Sequence, residues 1–167
     1  MVSDPQVLRK AEALLLACRS HGITLAVAES CTGGLLSATL TEIAGCSDVF
    51  IGGAITYSNK SKHDVLKIST ELINEFGAVS KQVANSMASQ AAAIFQCELA
   101  VGITGIAGPS GGTNNKPVGT VHLATCYNNI MAHRACHFSG SRSDIRLASV
   151  AMALSMLLET IGDSKNV

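Results

Sequence analysis

The chain has 167 residues, of which 47% are apolar and only 4% are aromatic, with 12 basic and 12 acidic side chains. This length and apolar content suit one domain with a sizeable core of Ala, Leu, Ile and Val. The zero net charge and the lack of a basic run argue against nucleic-acid or membrane binding. Because only 14% of the residues are charged, we expect part of the surface to be buried in a homodimer or higher homo-oligomer.

The cysteines favour a reducing, cytoplasmic location, because none has C-x-x-C spacing and a chain this apolar needs no disulfide staples. The six are Cys18, Cys31, Cys46, Cys97, Cys126 and Cys136. The N-terminus has no apolar signal region. The longest apolar segment, residues 147–158, is too short to span a bilayer and predicts a buried helix.

Helical spacing of apolar residues predicts a first helix over residues 5–20, where Pro5 suits the first turn and Gly22 the end. The further predicted helices are residues 35–43, about 62–66, 70–76, 80–96 with Ser80 as its cap, and a last helix that starts within 139–144 and ends near Ile161.

Five apolar runs predict strands over residues 23–28, 49–57, 99–104, 118–127 and 130–138. Gly52 and Gly53 mark a bulge or a close backbone approach within the second strand. Asn128 and Asn129 are typical of a hairpin turn between the last two strands. Residues 105–117 are too rich in Gly and Pro for regular structure, and a loop of this length is usually functional or disordered.

Early alternation of helices and strands followed by a hairpin predicts an α/β fold, a three-layer α/β/α sandwich around a mixed, largely parallel sheet. One domain covers the whole chain, with its core over about residues 5–161. Three polar segments, residues 30–34, 57–62 and 104–112, each follow the carboxyl end of a predicted strand. If those strands are parallel, the segments face one cleft, where ligands of such sheets bind.

Ser30 lies in this predicted cleft, either as a nucleophile or, together with Thr32, as a helix cap. A nucleophilic serine needs a base, and the available amines are Lys60 and Lys62, which must be neutral to take a proton. Tyr57 can relay the proton or position the serine. The backbone N–H groups of Thr32, Gly33 and Gly34 can hold an oxyanion.

Each of these residues also has a structural interpretation, since most lysines are solvated and a tyrosine often sits at a core edge. Cys31 is a rival nucleophile without an evident partner. A Tyr-x-x-x-Lys reductase motif fails because residue 61 is Ser61. Neither a Gly-x-Gly-x-x-Gly turn nor a Gly-Lys-Ser/Thr loop is present, which argues against a nicotinamide-dependent reductase or an ATPase.

Two arginines, Arg142 and Arg146, share one face at the start of the last helix. Positive charge is unfavourable there unless a ligand phosphate or the nearby Asp144 offsets it. His133 and His137 can share one face of a strand, but without further ligands they are a weak metal signal, so we predict no metal site.

Five motifs occur in order: Ala-Glu-Ser-Cys-Thr-Gly-Gly (28–34), Thr-Tyr-Ser-Asn (56–59), Gly-Ala-Val-Ser (77–80), Gly-Ile-Ala-Gly-Pro (105–109) and Lys-Pro-Val-Gly-Thr-Val (116–121). Over about residues 8–158 the sequence resembles the CinA C-terminal domain family, the nicotinamide-nucleotide amidohydrolases (NMN deamidases of the PncC type).

The resemblance implies hydrolysis of nicotinamide mononucleotide (NMN) to nicotinate mononucleotide and ammonia in pyridine nucleotide recycling, without a metal or other cofactor. It places the nucleophile at Ser30, the lysine at Lys62 and the tyrosine at Tyr57. Longer relatives carry an additional N-terminal domain, and we expect this chain to be the stand-alone form.

We expect the substrate to contact the turn after the first strand, the Gly-rich loop and the arginines. The expected substrate-binding residues are Cys31, Thr32, Gly33, Gly34, Thr104, Gly105, Ala107, Gly108, Arg142 and Arg146. The alternatives are a non-catalytic nucleotide-binding paralogue, which would bind NMN without turnover, and a hydrolase of another amide.

Overall fold

A mixed five-stranded sheet organises the computed structural model, which describes residues 4–163. Its strands are β1 (Leu25–Glu29), β2 (Phe50–Ile55), β3 (Leu99–Gly105), β4 (Thr120–Tyr127) and β5 (Ile130–His137). Its helices are α1 (Pro5–His21), α2 (Leu35–Thr41), α3 (Asn59–Leu66), α4 (Thr70–Phe76), α5 (Lys81–Phe95) and α6 (Arg142–Asp163), with a 3-10 helix at Cys46–Asp48.

The strand order is β2-β1-β3-β4-β5, in which β1, β2 and β3 are parallel to one another. The hairpin β4–β5 adds two antiparallel strands. Asn128 and Asn129 both have positive φ angles, 48° and 68°, as a type I′ hairpin turn requires. Because β2, β1 and β3 are adjacent and parallel, their carboxyl ends lie at one edge of the sheet.

Helices cover both faces of the sheet, which confirms the predicted α/β/α sandwich. On one face, α1, α2 and α6 pack over a large apolar core. On the other, α5 lies across β1, β3 and β4, and α3 and α4 pack against it. The central strand β1 is buried along its whole length, as expected for a parallel strand covered on both sides.

Helix α6 is long and apolar enough, by length and composition alone, to cross a membrane, and it exceeds the predicted apolar segment at both ends. Its apolar side is nevertheless committed to the protein core, where Ile145, Val150, Leu154 and Leu157 are buried. We therefore interpret α6 as a core helix, and its N-terminus lies where the three parallel strands end.

Several element boundaries differ from those predicted. Helix α3 starts at Asn59 rather than near Lys62, because Ser58 and Ser61 form a reciprocal capping box. The 3-10 helix at Cys46–Asp48 was not predicted. Strand β4 starts at Thr120 rather than Val118. The irregular register that pairs Phe50 with Leu25 and Gly52 with Ala26 agrees with the expected bulge.

Gly102 lets α5 approach the sheet closely. A Cβ atom at Gly102 would lie 2.5 Å from the Ala84 carbonyl oxygen and 2.7 Å from the Ala88 nitrogen. Both neighbours are backbone atoms of α5, so they cannot move aside like a flexible side chain. The small residue therefore fixes the distance between helix and strand.

Gly102→Ala is expected to destabilise the fold by about 1–3 kcal/mol, because the added methyl group overpacks this contact. Urea denaturation measures the change. Gly162→Ala is the matched control, since a Cβ there meets no atom within 4 Å. Equal stability of the two variants would contradict the proposed close packing.

Candidate active site

The two residues at the centre of the site come from different elements. Ser30 follows β1, where its N–H donates to the Ile103 carbonyl oxygen at 3.0 Å. Lys62 lies on α3 and is only 1% exposed. Its Nζ donates to Ser30 Oγ at 2.9 Å and to the carbonyl oxygen of Thr56 at 2.7 Å. The predicted pair of a serine hydroxyl and a lysine amine is therefore in direct contact.

The buried environment favours the neutral form of this lysine. Burial lowers the pKa of Lys62 to about 8, against a smaller opposing effect of Cys31. At pH 7 about a tenth of such amines are neutral, so Lys62 can accept a proton without a large energetic cost. Lys60, the other candidate, is exposed and pairs with Asp64 on the surface of α3.

Cys31 does not have the environment of a nucleophile. Its side chain is buried and lies beside Gly105, where a Cβ atom would come within 3.1 Å of the sulfur. Burial raises the pKa of the Cys31 thiol to about 11, so it stays protonated at neutral pH.

The N–H groups of Gly33 and Gly34 are already used within the chain. Gly33 donates to the Ser30 carbonyl oxygen at 3.0 Å, and Gly34 donates to the Glu29 carboxylate at 3.0 Å. In this conformation these two groups are therefore not free to hold an oxyanion. The N–H groups of Cys31 and Thr32 donate to no oxygen atom within the described residues, and both face the Cys31 sulfur.

The two arginines of α6 join all three predicted site segments. Arg146 donates from Nε and Nη2 to the Thr32 carbonyl oxygen, at 3.2 and 2.7 Å. Arg142 donates from Nη1 to the Gly108 carbonyl oxygen and from Nη2 to the Tyr57 hydroxyl, each at 2.6 Å. Asp144 does not pair with the two arginines, because its carboxylate accepts hydrogen bonds from the N–H and hydroxyl of Ser141.

Tyr57 is brought to the rim of the site rather than to its centre. It is 59% exposed, and its hydroxyl accepts from Arg142. Among residues 4–163 no hydrogen bond joins it to Ser30 or Lys62. The proton relay predicted for Tyr57 is not made in this conformation, and the tyrosine instead orients an arginine.

The end of β3 contributes a buried hydroxyl, and the Gly-rich loop that follows it contributes backbone groups. Thr104 donates from Oγ1 to the Ala78 carbonyl oxygen at 2.8 Å, which ties the end of β3 to the segment before α5. Lys116 donates to the Phe76 carbonyl oxygen at 2.9 Å. Ala107 is buried, and Gly108 presents its carbonyl oxygen to Arg142.

His133 contacts a partner that the sequence did not predict. Its Nε2 lies 3.1 Å from Nδ1 of His122 on β4, and the two rings stack. Burial lowers the pKa of both histidines, and the neighbouring ring and Lys116 lower that of His122 further. Residues 4–163 contain no group of three or more His, Cys, Asp or Glu side chains arranged to hold a metal.

A family model of the CinA C-terminal domain matches residues 8–161 of the sequence. The chain belongs to the CinA C-terminal domain family. It is 46% identical over 142 residues, 85% of its length, to a CinA-like protein of Syntrophotalea carbinolica. A CinA-like protein of Geobacter sulfurreducens is 45% identical over 139 residues, 83% of the chain. The chain spans about a third of the length of these curated relatives, 34% in each case.

Solved structures of CinA proteins share the fold over nearly their whole length. The competence/damage-inducible protein CihA from Agrobacterium tumefaciens matches with a TM-score of 0.92 and 42% identity, covering 95% of this chain and 98% of its own. A CinA superfamily protein from Klebsiella pneumoniae matches with a TM-score of 0.91 and 28% identity, covering 94% and 98%. The fold is therefore that of the CinA family.

Residue-by-residue reasoning overlooked two members of the site. Thr56 supplies the carbonyl oxygen that holds Lys62, and Glu29 holds the start of α2. The sequence could not have indicated Thr56, because its contribution is a backbone carbonyl oxygen, which every residue type has. Glu29 did give a signal, since it is a charged residue at the end of a strand buried at every position.

In protein labelled with ¹³C at lysine, one side-chain signal is expected to titrate near pH 8, because Lys62 is buried. Lys62→Met should abolish this titration, whereas Lys60→Met should leave it in place. NMR measurement of lysine chemical shifts against pH is the test. A Lys62 signal with the ordinary midpoint, about 10.4, would contradict a lysine of which about a tenth is neutral at pH 7.

Proposed function

We propose that the protein hydrolyses the carboxamide of nicotinamide mononucleotide, giving nicotinate mononucleotide and ammonia in pyridine nucleotide recycling. The observation that carries this proposal is the 2.9 Å contact between Ser30 Oγ and the amine of the buried Lys62. Family membership supports the same chemistry. A buried amine of lowered pKa is the base that a nucleophilic serine without a histidine needs.

In the proposed first half-reaction, neutral Lys62 takes the hydroxyl proton as Ser30 Oγ attacks the carboxamide carbon. The carbonyl oxygen becomes an oxyanion in a tetrahedral intermediate. The N–H groups of Cys31 and Thr32, which face the Cys31 sulfur and donate to no oxygen atom within the described residues, are the proposed donors that stabilise it. The Lys62 ammonium then protonates the amide nitrogen, the carbon–nitrogen bond breaks, and ammonia leaves an acyl ester on Ser30.

In the proposed second half-reaction, neutral Lys62 removes a proton from a water molecule that attacks the ester. The tetrahedral intermediate collapses, and Ser30 Oγ leaves with the proton that Lys62 returns. The products are a carboxylic acid and free enzyme, so atoms and charge balance. One amine serves both steps because each begins with Lys62 neutral.

The phosphate of the substrate is proposed to bind Arg142. This guanidinium is exposed and has no carboxylate partner in the described part of the chain. Arg146 is half-buried, and its Nε and Nη2 groups donate to the Thr32 carbonyl oxygen. Arg142 is therefore the arginine that can exchange neutral partners, Tyr57 and Gly108, for a charged one.

Ser30→Ala is expected to reduce ammonia release from NMN by roughly 10³-fold or more, because the acyl ester can no longer form. An enzyme-coupled assay of ammonia measures the rate. Ser89→Ala is the control, since within the described residues the Ser89 hydroxyl binds the Ser86 carbonyl oxygen on α5 and no group of the site. Undiminished turnover in Ser30→Ala would remove the serine from the mechanism, and NMN binding without turnover in the wild-type protein would favour the non-catalytic alternative.

Arg142→Ala is expected to raise KM for NMN by about tenfold to a hundredfold with a smaller effect on kcat, as for a lost charge-assisted hydrogen bond. The variant should not affect the KM for nicotinamide riboside, which lacks the phosphate. Arg146→Ala is the comparison, since it should lower kcat by releasing the Thr32 carbonyl oxygen. A loss of kcat for both substrates in Arg142→Ala, at unchanged KM, would contradict a phosphate contact.

A further inference from the structure

Glu29 is a fully buried carboxylate that has no cation as a partner within residues 4–163. Its Oε2 accepts from the N–H groups of Gly34 and Leu36, at 3.0 and 3.1 Å. Its Oε1 accepts from the N–H and the hydroxyl of Ser37, at 2.8 and 2.6 Å. Four donors of one short segment therefore converge on one side chain.

A buried charge is costly unless hydrogen bonds compensate it, so this arrangement ties the start of α2 firmly to the end of β1. The turn between them includes Gly33 and Gly34, both with positive φ, and it carries the nucleophile at its first position. The Glu29 carboxylate fixes the far end of that turn. The turn is thus held at both ends, since the Ser30 N–H is bonded to Ile103.

The backbone of Glu29 also reaches the base. Its carbonyl oxygen accepts from the Thr56 N–H at 2.8 Å. The Thr56 carbonyl oxygen in turn accepts from Lys62 Nζ at 2.7 Å. One residue is therefore linked to the turn that carries Ser30 through its side chain, and to the acceptor that orients Lys62 through its backbone.

We propose that Glu29 is a positioning residue that holds the Ser30 turn in register with Lys62 and takes up the N–H groups of Gly34, Leu36 and Ser37. As a result, within the turn over residues 30–37 the N–H groups of Cys31 and Thr32 are the ones that donate to no oxygen atom, and they face the Cys31 sulfur instead. This inference rests on the proposed function, in which Ser30 is the nucleophile. The hydrogen bonds of the Glu29 carboxylate within the described residues all go to residues 34–37, so Glu29 acts on Ser30 through the turn.

The test uses Glu29→Gln, which keeps the shape of the side chain but turns an NH₂ group toward two of the four donors. Ser37→Ala is a milder second variant that removes only the hydroxyl donor at 2.6 Å. Glu98→Gln is the matched control. The Glu98 carboxylate also accepts from a backbone N–H and a hydroxyl, both of Thr24, but at the opposite end of β1.

Two readouts separate positioning from stability. The first is the second-order rate constant for reaction of Ser30 with phenylmethanesulfonyl fluoride, normalised to the folded fraction. The second is the division of any loss of NMN hydrolysis between kcat and KM. Glu29→Gln should lower the rate constant and kcat by about tenfold to a hundredfold at nearly constant KM, because a misplaced nucleophile loses orientation. Ser37→Ala should lose about twofold to fivefold, and Glu98→Gln less than twofold.

A Glu29→Gln variant that melts earlier but keeps the wild-type rate constant with the sulfonyl fluoride would overturn the proposal and leave Glu29 as a helix cap. If Glu29→Gln does not fold, the proposal depends on Ser37→Ala, and an unchanged rate constant there overturns it. Reaction at Ser30 that depends on Glu29 without ammonia release from NMN would instead overturn the proposed function alone. If the wild-type protein is inert to the reagent, kcat for NMN decides, and an unchanged kcat in Glu29→Gln would overturn the proposal.

Discussion

The hydrogen bond between the Ser30 hydroxyl and the Lys62 amine is the constraint on which the site depends. A lysine amine held out of water loses hydration, and the fold must replace it with donors and acceptors from several elements. Here the replacement is one hydroxyl and one carbonyl oxygen, that of Thr56. Neither acceptor carries a charge, so the site lowers the pKa of the amine instead of stabilising its ammonium form.

The helices around this pair act as a frame for three loops. The turn after β1, the segment after β2 and the Gly-rich loop after β3 meet because their strands are parallel and adjacent. Arg142 and Arg146 then join these loops from α6, more than a hundred residues beyond Ser30. Arg142 is exposed and donates to neutral oxygens, so no carboxylate within the described residues offsets its positive charge at the mouth of the site.

Sequence periodicity was sufficient for the layers and for the common edge at which the polar segments meet, because both follow from burial and from strand direction. Periodicity was not sufficient to decide which of Lys60 and Lys62 is the base. The family pattern indicates Lys62. Residues two apart on α3 point in nearly opposite directions, which explains why Lys62 is buried and Lys60 is exposed. Reasoning from Gly33 and Gly34 alone failed because the acceptor of the Gly34 N–H, Glu29, is a side chain whose direction depends on the packing of α2. The contact of His122 with His133 depends on strand register, which composition does not reveal.

Ser30 and Cys31 are neighbours in the chain but have different environments, although a thiol is the stronger nucleophile once ionised. The Cys31 sulfur lies against Gly105 and is buried, and this environment raises its pKa to about 11. Lys62, the one amine nearby, bonds the serine oxygen, not the sulfur. A serine needs a base in contact because its hydroxyl does not ionise on its own, whereas a cysteine needs a polar or cationic setting that stabilises the thiolate. The cleft supplies a base in contact with Ser30, whereas at Cys31 burial outweighs the nearby Lys62 and the backbone N–H groups. Position, and not intrinsic reactivity, therefore favours Ser30 as the proposed nucleophile.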